Sequence, residues 1–280
     1  MARAAELQKI ASQVRRDIVR MVHAVQSGHP GGSLGCADFF TAMYFEIMDL
    51  KSSFDMDGKD EDIFFLSNGH ISPVWYSVLA RKGYFPTEEL RSFRKINAML
   101  QGHPATAEHT PGVRIASGSL GQGLSAAIGA AAAKKLNNDN HLVYVLMGDG
   151  EIQEGQVWEA AMYAGAKKVN NLIATIDVNG QQIDGSTDHV MSLGSIEDKW
   201  KAFGWEVLHM NGNDMEDILK VMAEAKSKAF KEKPVVVLMK TDMGYGVDFM
   251  SGTHEWHGIA PNDDQLVKAL AQLEETIGDY

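Results

Sequence analysis

Residues 143–151, Val-Tyr-Val-Leu-Met-Gly-Asp-Gly-Glu, form an apolar run that ends abruptly in an acidic, glycine-flanked turn. A continuous apolar run without polar alternation is typical of a strand that is covered on both faces of a parallel sheet. A helical pattern follows from about Gln156 to Lys167, and a second apolar run spans Leu172 to Ile176. We therefore predict that two parallel strands joined by a helix form the centre of the fold.

Further apolar and periodic stretches extend this pattern along the whole chain. Strands are predicted at residues 63–66, 205–209 and 235–239, and helices at about 4–25, 36–48, 73–82, 120–136, 214–230 and 263–277. Residues 120–136, rich in Ala and Gly, predict a helix packed closely on all sides. Strands that alternate with helices predict an α/β fold, a parallel sheet with helices on both faces. No linker or repeat divides the chain, so we predict one domain over residues 1–280.

Composition narrows the possible functions. Hydrophobic residues make up 45% and charged residues 22% of the 280 residues, as in ordinary soluble proteins. The formal charge of -11 argues against a basic nucleic-acid-binding surface. Cys36 is the only cysteine, which excludes an intrachain disulfide and a zinc–thiolate site within one chain. No signal peptide or membrane span is recognisable, so we predict a soluble, cytoplasmic protein.

Polar residues follow the two central strands where each is predicted to end. Gly148-Asp149-Gly150 ends the first strand, and Asn179 follows the second. Ligands of parallel sheets bind beyond the carboxyl ends of the strands, and Mg²⁺ prefers such hard oxygen ligands. The glycines would admit a diphosphate, and a helix N-terminus just beyond would favour its charge. The alternative is a simple strand-to-helix turn without a ligand.

Gly148-Asp149-Gly150 closed by Asn179 resembles the motif of thiamine-diphosphate enzymes. Other segments resemble transketolases in order along the chain: Ser27-Gly28-His29-Pro30-Gly31, Ser67-Asn68-Gly69-His70, Gly102-His103-Pro104, Gly118-Ser119-Leu120-Gly121-Gln122-Gly123 and His257-Gly258. The resemblance spans nearly the whole chain. It implies the thiamine-diphosphate-binding fold, and within it the diphosphate-binding domain of a transketolase.

The resemblance also implies roles for individual residues. It implies that Asp149, Asn179 and the backbone carbonyl of Gln181 hold Mg²⁺, or Ca²⁺ or Mn²⁺. It implies contacts to thiamine diphosphate from His70, Gly118, Leu120, Gly148, Gly150, Asn179 and His257, and proton transfer by His29, His103 and His257. Glu154 and Glu159 match acidic positions at a subunit interface. A purely structural role remains an alternative for each group. The histidines would then be structural residues, Gly118 and Leu120 would serve close packing of a Gly/Ala helix, and Glu154 and Glu159 would lie on an exposed acidic helix.

One essential group of the family is missing from this sequence. In transketolases, the glutamate that activates thiamine lies in a following pyrimidine-binding domain, and this sequence ends at Tyr280. We expect a natural subunit rather than an excised domain, and its expected partner is a C-terminal transketolase subunit. The resemblance implies transfer of a two-carbon ketol unit between sugar phosphates, in the pentose phosphate pathway, by a cytoplasmic heterotetramer.

Three other functions remain as alternatives. The first is a subunit of another thiamine-diphosphate enzyme, such as a deoxyxylulose-phosphate synthase fragment or a 2-oxoacid dehydrogenase α-type subunit. The second is a non-catalytic paralogue that binds a diphosphate or a partner protein. The third is a metal-dependent phosphatase, which would need a second carboxylate near Asp149, for which Glu151 is the candidate.

Overall fold

A computed structural model describes residues 2–280. Five parallel strands form its main sheet, in the spatial order 63–66, 143–148, 172–178, 235–240 and 206–211, and two short antiparallel strands form a separate ribbon. The strands are β1 Ile63–Leu66, β2 Val143–Gly148, β3 Leu172–Val178, β4 Gln181–Gln182, β5 Gly185–Ser186, β6 Glu206–Asn211 and β7 Val235–Lys240. The predicted parallel α/β fold is confirmed.

Helices cover both faces of the main sheet. The α-helices are α1 Ala2–Val25, α2 Pro30–Gly35, α3 Ala37–Ala42, α4 Ser72–Lys82, α5 Gly123–Leu136, α6 Gly155–Ala166, α7 Thr187–Met191, α8 Ile196–Ala202, α9 Met215–Lys228 and α10 Asp263–Gln272. Short 3-10 turns span Gly69–Ile71, Thr87–Ser92, Thr106–Glu108, Glu151–Gln153 and His254–Trp256, and a π-helical turn spans Met43–Ile47. No helix within residues 2–280 is both long and apolar enough to cross a membrane.

Alternate residues of the strands feed two separate cores. Tyr144 and Leu146 face the core shared with α1, α3, α4 and α9, whereas Val143 and Val145 face the core shared with α5 and α6. Both sets are buried, because each face of the sheet is covered by helices. This explains why β2 reads as an unbroken apolar run rather than as an alternating one.

Two predictions about helices are wrong. The helix after Gly123 is not covered on all sides: Leu136 is 84% exposed, and small residues at positions 125, 129, 132 and 133 are also exposed. Its main contacts are with the sheet and α6, and its outer face is exposed. The C-terminal helix ends at Gln272 rather than near Ile277. Arg16 donates to the carbonyls of Leu270 and Leu273, at 3.0 and 2.7 Å, and so stabilises this helix end.

Two helical glycines allow a test of the packing. A Cβ added at Gly165 in α6 would lie 1.8 Å from the carbonyl oxygen of Phe203, whereas one added at Gly129 in α5 would meet nothing within 4 Å. We expect Gly165→Ala to lower the free energy of unfolding by about 1–3 kcal/mol through overpacking. The matched Gly129→Ala should raise it by about 0.5–1 kcal/mol through helix propensity. Urea denaturation measures both, and equal midpoints would contradict the packing described.

Candidate functional site

A cavity lies at the carboxyl edge of the main sheet, where the loops after β1, β2 and β3 meet. It has a volume of about 320 Å³. Its lining combines histidines, glycines, carboxylates and a few apolar side chains: His29, Gly32, Asn68, His70, Ile71, His103, Gly118, Leu120, Gly148, Asp149, Gly150, Glu151, Asp177, Asn179, Gln181, Gln182, Ile183, Met243 and His257. Every residue predicted to bind the cofactor or metal, or to transfer protons, lies on this lining.

Asp149 joins the ends of β2 and β3 on the floor of the cavity. Its Oδ1 accepts a hydrogen bond from the amide of Gly150 at 2.8 Å, and its Oδ2 accepts one from the amide of Gly180 at 2.7 Å. The Oδ1 of Asn179 accepts a hydrogen bond from the amide of Gln181 at 2.9 Å. The two neighbouring parallel strands thus deliver a carboxylate and an amide oxygen to one place, as their sequence positions predicted.

Asp177 fixes the orientation of Asn179, although no role was predicted for it from the sequence. Its side chain is 1% exposed and lies at the end of β3. One carboxylate oxygen accepts a hydrogen bond from Asn179 Nδ2 at 2.8 Å, and the other accepts one from the hydroxyl of Thr241. Because Nδ2 is bound by Asp177, Oδ1 of Asn179 is the atom that faces the amide of Gln181. The sequence signal for this role was the position of Asp177, two residues before the predicted ligand Asn179.

The donor set fits a hard divalent cation that is shared with a diphosphate. Burial, together with the nearby Asp177, raises the pKa of Asp149 to about 7, so a cation would relieve an unfavourable buried charge. No group of three or more His, Cys, Asp or Glu side chains within residues 2–280 could hold a metal by itself. A cation here would therefore use amide, carbonyl and ligand oxygens beside one carboxylate, the pattern that suits Mg²⁺.

Glu151 holds the glycine-rich loop at residues 118–123 against the end of β2. Its Oε1 accepts hydrogen bonds from the Ser67 hydroxyl and, at 2.8 Å, from the amide of Gly121. Its Oε2 accepts one from the amide of Gly148 at 3.1 Å. Both oxygens have partners within the protein, so Glu151 organises the loop. This arrangement does not support its role as the second carboxylate of a phosphatase.

The helix predicted after the Gly-Asp-Gly turn is present and begins at Gly155, close to the predicted start near Gln156. The 3-10 turn Glu151–Gln153 follows the Gly-Asp-Gly turn, and α6 begins only at Gly155. The amide of Gly148 is bound by Glu151. The 3-10 turn thus separates Asp149 from the first turn of α6.

Four histidines from separate segments converge on the cavity. The ring centroid of His29 lies 5.1 Å from that of His70, 6.4 Å from that of His103 and 5.6 Å from that of His257. His70 and His257 are 5.1 Å apart. Such clustering is costly if the rings are charged, because like charges this close repel one another. The cluster is therefore one of neutral imidazoles.

Burial is the main reason that these imidazoles stay neutral. Burial, followed by the effect of His257, lowers the pKa of His29 to about 4. Burial and His257 hold the pKa of His70 well below its ordinary range. Burial also lowers the pKa of His103, with a further contribution from Arg94, and burial with His254 lowers that of His257. At neutral pH each ring therefore has one nitrogen that donates a hydrogen bond and one that accepts a hydrogen bond or a proton.

Several buried polar atoms on the cavity side lack a partner within the described chain. They are Nδ1 of His29, Nδ1 of His257 and Oδ1 of Asn68. Buried polar atoms usually have partners, so this group indicates a polar ligand. Gly118 adopts a φ of +144°, and a Cβ there would lie 2.9 Å from Cδ2 of His103. Only glycine therefore lets the loop approach the histidines so closely.

The remaining predicted residues fall at the edge of the site or outside it. Leu120 is partly exposed at the cavity rim. Glu154 and Glu159 are exposed and do not line the cavity, so the interface prediction stays a prediction. Ile183 and Met243 line the cavity without having been predicted. Ile183 belongs to the loop after Asn179, whereas nothing in the sequence around Met243 indicated a site.

Comparison with known proteins agrees with this geometry. The family described as transketolase, thiamine diphosphate binding domain, matches residues 7–275. One of the subunits of the apulose-4-phosphate transketolase of Phocaeicola vulgatus is 39% identical over 263 residues, 94% of this chain and 92% of that protein. The 6-deoxy-6-sulfo-D-fructose transketolase subunit SqwG of a Clostridium species is 37% identical over 96% of this chain and 97% of that protein.

Solved structures of larger transketolases contain the same fold. The transketolase of Leishmania mexicana superposes with a TM-score of 0.89 at 32% identity, covering 98% of this chain but 42% of that one. The chain thus spans about two fifths of such a transketolase but nearly the full length of the two subunits above. The chain therefore belongs to the transketolase family, as a subunit that corresponds to its thiamine-diphosphate-binding domain.

Proposed function

We propose that this chain is the diphosphate-binding subunit of a two-chain transketolase that moves a two-carbon ketol unit from a ketose phosphate to an aldose phosphate. One observation carries the proposal: four clustered histidines face a cavity whose floor holds Asp149 and Asn179. Proton-handling groups thus stand beside a place for a metal diphosphate. The proposal assigns the reaction to cytoplasmic carbohydrate metabolism, in the pentose phosphate pathway.

The proposed cofactor site uses the residues on the cavity floor. Asp149, Asn179 and the carbonyl of Gln181 would hold Mg²⁺, with Ca²⁺ or Mn²⁺ as substitutes. His70, Gly118, Leu120, Gly148, Gly150 and His257 would contact thiamine diphosphate. When bound, thiamine diphosphate supplies the electron sink for cleaving the bond beside a ketose carbonyl. The chain's own contribution is to anchor, orient and surround that group.

The histidines are suited to moving protons of sugar hydroxyls. His29 and His257 each have an unpartnered Nδ1, and His103 is exposed at the cavity mouth. A neutral imidazole can take a proton from a hydroxyl and return it. We therefore assign proton transfer to His29, His103 and His257. His70, the most deeply buried, is assigned to holding the cofactor.

The activating carboxylate is proposed to come from a partner chain. Asp149, Glu151 and Asp177 are the carboxylates on the lining, and each accepts hydrogen bonds from backbone or side-chain groups of this chain. None of the three is available to protonate a pyrimidine ring. The two relatives are named as transketolase subunits for sugars with a phosphate or sulfo group, which supports a second chain and an anionic ketose. A heterotetramer with two sites would follow.

Calorimetry with Mg²⁺ and thiamine diphosphate tests the proposed function. It is run on this chain alone and with the product of the neighbouring gene, while ketol transfer is followed in parallel. We expect weak binding alone, and tight binding with transfer in the pair. Absence of both binding and transfer in the pair would contradict the proposal.

The metal site gives a first variant test. Asp149→Asn should weaken binding of Mg²⁺ and thiamine diphosphate at least about tenfold, because the only carboxylate of the donor set is lost. Asp184→Asn, an exposed residue outside the cavity, is the matched control and should bind as the unmodified chain does. Calorimetry measures both. Equal affinities for the two variants would show that Asp149 does not hold the metal.

The histidine cluster predicts a dependence of stability on pH. Because the folded pKa of His29, about 4, lies below the unfolded value of about 6.5, the unfolded chain binds the extra proton between these values. The free energy of unfolding should therefore fall as pH drops from 6.5 to 4, by up to about 1.4 kcal/mol per pH unit for this group. His29→Asn should reduce that slope, whereas His189→Asn, at an exposed position, should not. Urea denaturation at several pH values measures the slopes.

The predicted interface residues give a test of assembly. If Glu154 and Glu159 contact the partner, the double variant Glu154→Ala/Glu159→Ala should weaken assembly by about tenfold, as one or two lost interface contacts would. Sedimentation of mixtures with the partner measures this. A matched pair, Glu224→Ala/Glu232→Ala, lies on exposed surface elsewhere. Equal assembly of both double variants would remove these two residues from the interface.

A further inference from the structure

Arg94 lies between two of the histidine-bearing turns. Its Nη1 donates a hydrogen bond to the hydroxyl of Ser27 at 3.1 Å, two residues before His29. Its guanidinium also packs against Gly102, the residue before His103, where an added Cβ would lie 2.6 Å from Cζ of Arg94. The same side chain therefore contacts the turn at residues 26–31 and the turn at residues 101–105. Each turn presents one histidine to the cavity.

The backbone around Arg94 is specialised for this placement. Its φ is +56°, a left-handed conformation that non-glycine residues adopt at a cost. Its amide donates to the carbonyl oxygen of Leu100 at 2.8 Å, which closes the loop that leads to Gly102. The hydroxyl of Ser72 donates to the carbonyl oxygen of Gly102 at 2.7 Å and fixes the turn from its other side. Hydrogen bonds thus fix the backbone at Arg94 and at Gly102, the two ends of this contact.

The charge of Arg94 is not compensated by a carboxylate. Its Nε and Nη2 are buried without a partner, although Glu108 lines the same cavity of about 570 Å³ next to His103. The Oε2 of Glu108 is also without a partner, so the two groups do not pair. The pKa of His29 is lowered first by burial, then by His257 and then by Arg94. The pKa of His103 is lowered first by burial and then by Arg94.

We propose that Arg94 is a positioning residue that ties the turn bearing His29 to the turn bearing His103 and places a positive charge beside both imidazoles. The assignment of proton transfer to these histidines rests on the proposed function, but the tie between the turns does not. His29 is faced by His70, His103, His257 and Arg94, and His103 by His29, Arg94 and the wall bearing Glu108. Among these groups, Arg94 carries the one permanent positive charge.

Hydrogen–deuterium exchange on the isolated chain tests the tie. Arg94→Met and Ser27→Ala each remove the hydrogen bond, so amide exchange in residues 26–31 should speed up about fivefold. Arg94→Met should also speed up exchange in residues 101–105, because Gly102 loses its packing partner. Arg91→Met, at an exposed position three residues earlier, is the matched control and should change neither turn. Unchanged exchange in both turns of Arg94→Met would overturn the proposal.

Nuclear magnetic resonance titration of the histidine rings tests the role of the charge. Arg94→Met should raise the pKa of His29 and of His103 by about 0.5, whereas Arg94→Lys and Ser27→Ala, which keep a positive charge, should leave both close to the unmodified chain. If Arg91→Met raised these two pKa values equally, or if Arg94→Met did not raise them, the proposed effect of the Arg94 charge on the imidazoles would be overturned. Circular dichroism checks that each variant folds. If Arg94→Met does not fold, comparing the amide exchange of Arg94→Lys with that of Ser27→Ala still tests the connection between the two turns.

With the partner present, Arg94→Met should lower kcat at least about fivefold and move the acidic limb of the kcat–pH profile to higher pH. The Kd for thiamine diphosphate should change less than about twofold. A merely structural role would change Kd and kcat together and leave the limb in place. If the pair neither binds the cofactor nor transfers a ketol unit, the proposed function fails. The exchange and titration results then still decide the role of Arg94.

Discussion

The buried carboxylate of Asp177 is the interaction on which the arrangement of the site depends. It lies at the end of β3 and accepts hydrogen bonds from Thr241, just after β7, and from the side chain of Asn179. Burying a carboxylate is unfavourable unless both oxygens have partners. The loops after β3 and β7 are therefore held in the one geometry that satisfies it. The position of Asn179, and through Gly180 that of Asp149, follows from this requirement.

A second carboxylate has the equivalent task on the other side of the cavity. Glu151 links the loop after β1, through Ser67, to the glycine-rich loop through Gly121. The two buried acids thus do not face the ligand as reactive groups. They fix the loops that carry the ligand-facing residues, which is the support that a precise binding site requires.

The fold and the location of the site could be predicted from the sequence, because both depend on local patterns. Apolar runs gave the strands, and the glycine and histidine motifs fell at their carboxyl ends, where the cavity lies. Features set by tertiary contacts could not be predicted. The exposed face of α5 depends on which elements cover it, and the early end of α10 depends on Arg16. The roles of Asp177 and Arg94 depend on partners far away in sequence, Thr241 and Ser27.

The state of Cys36 has a practical consequence for spectroscopy. This cysteine is fully buried, and burial, with the nearby Asp177, raises the pKa of its thiol well above the usual range. Thiol-directed dyes react with exposed thiolates, so the native cysteine is protected from them. A cysteine introduced on the outer face of α5 would then be the sole labelling position in the chain. Fluorescent probes could report on the approach of another chain without any alteration of the core.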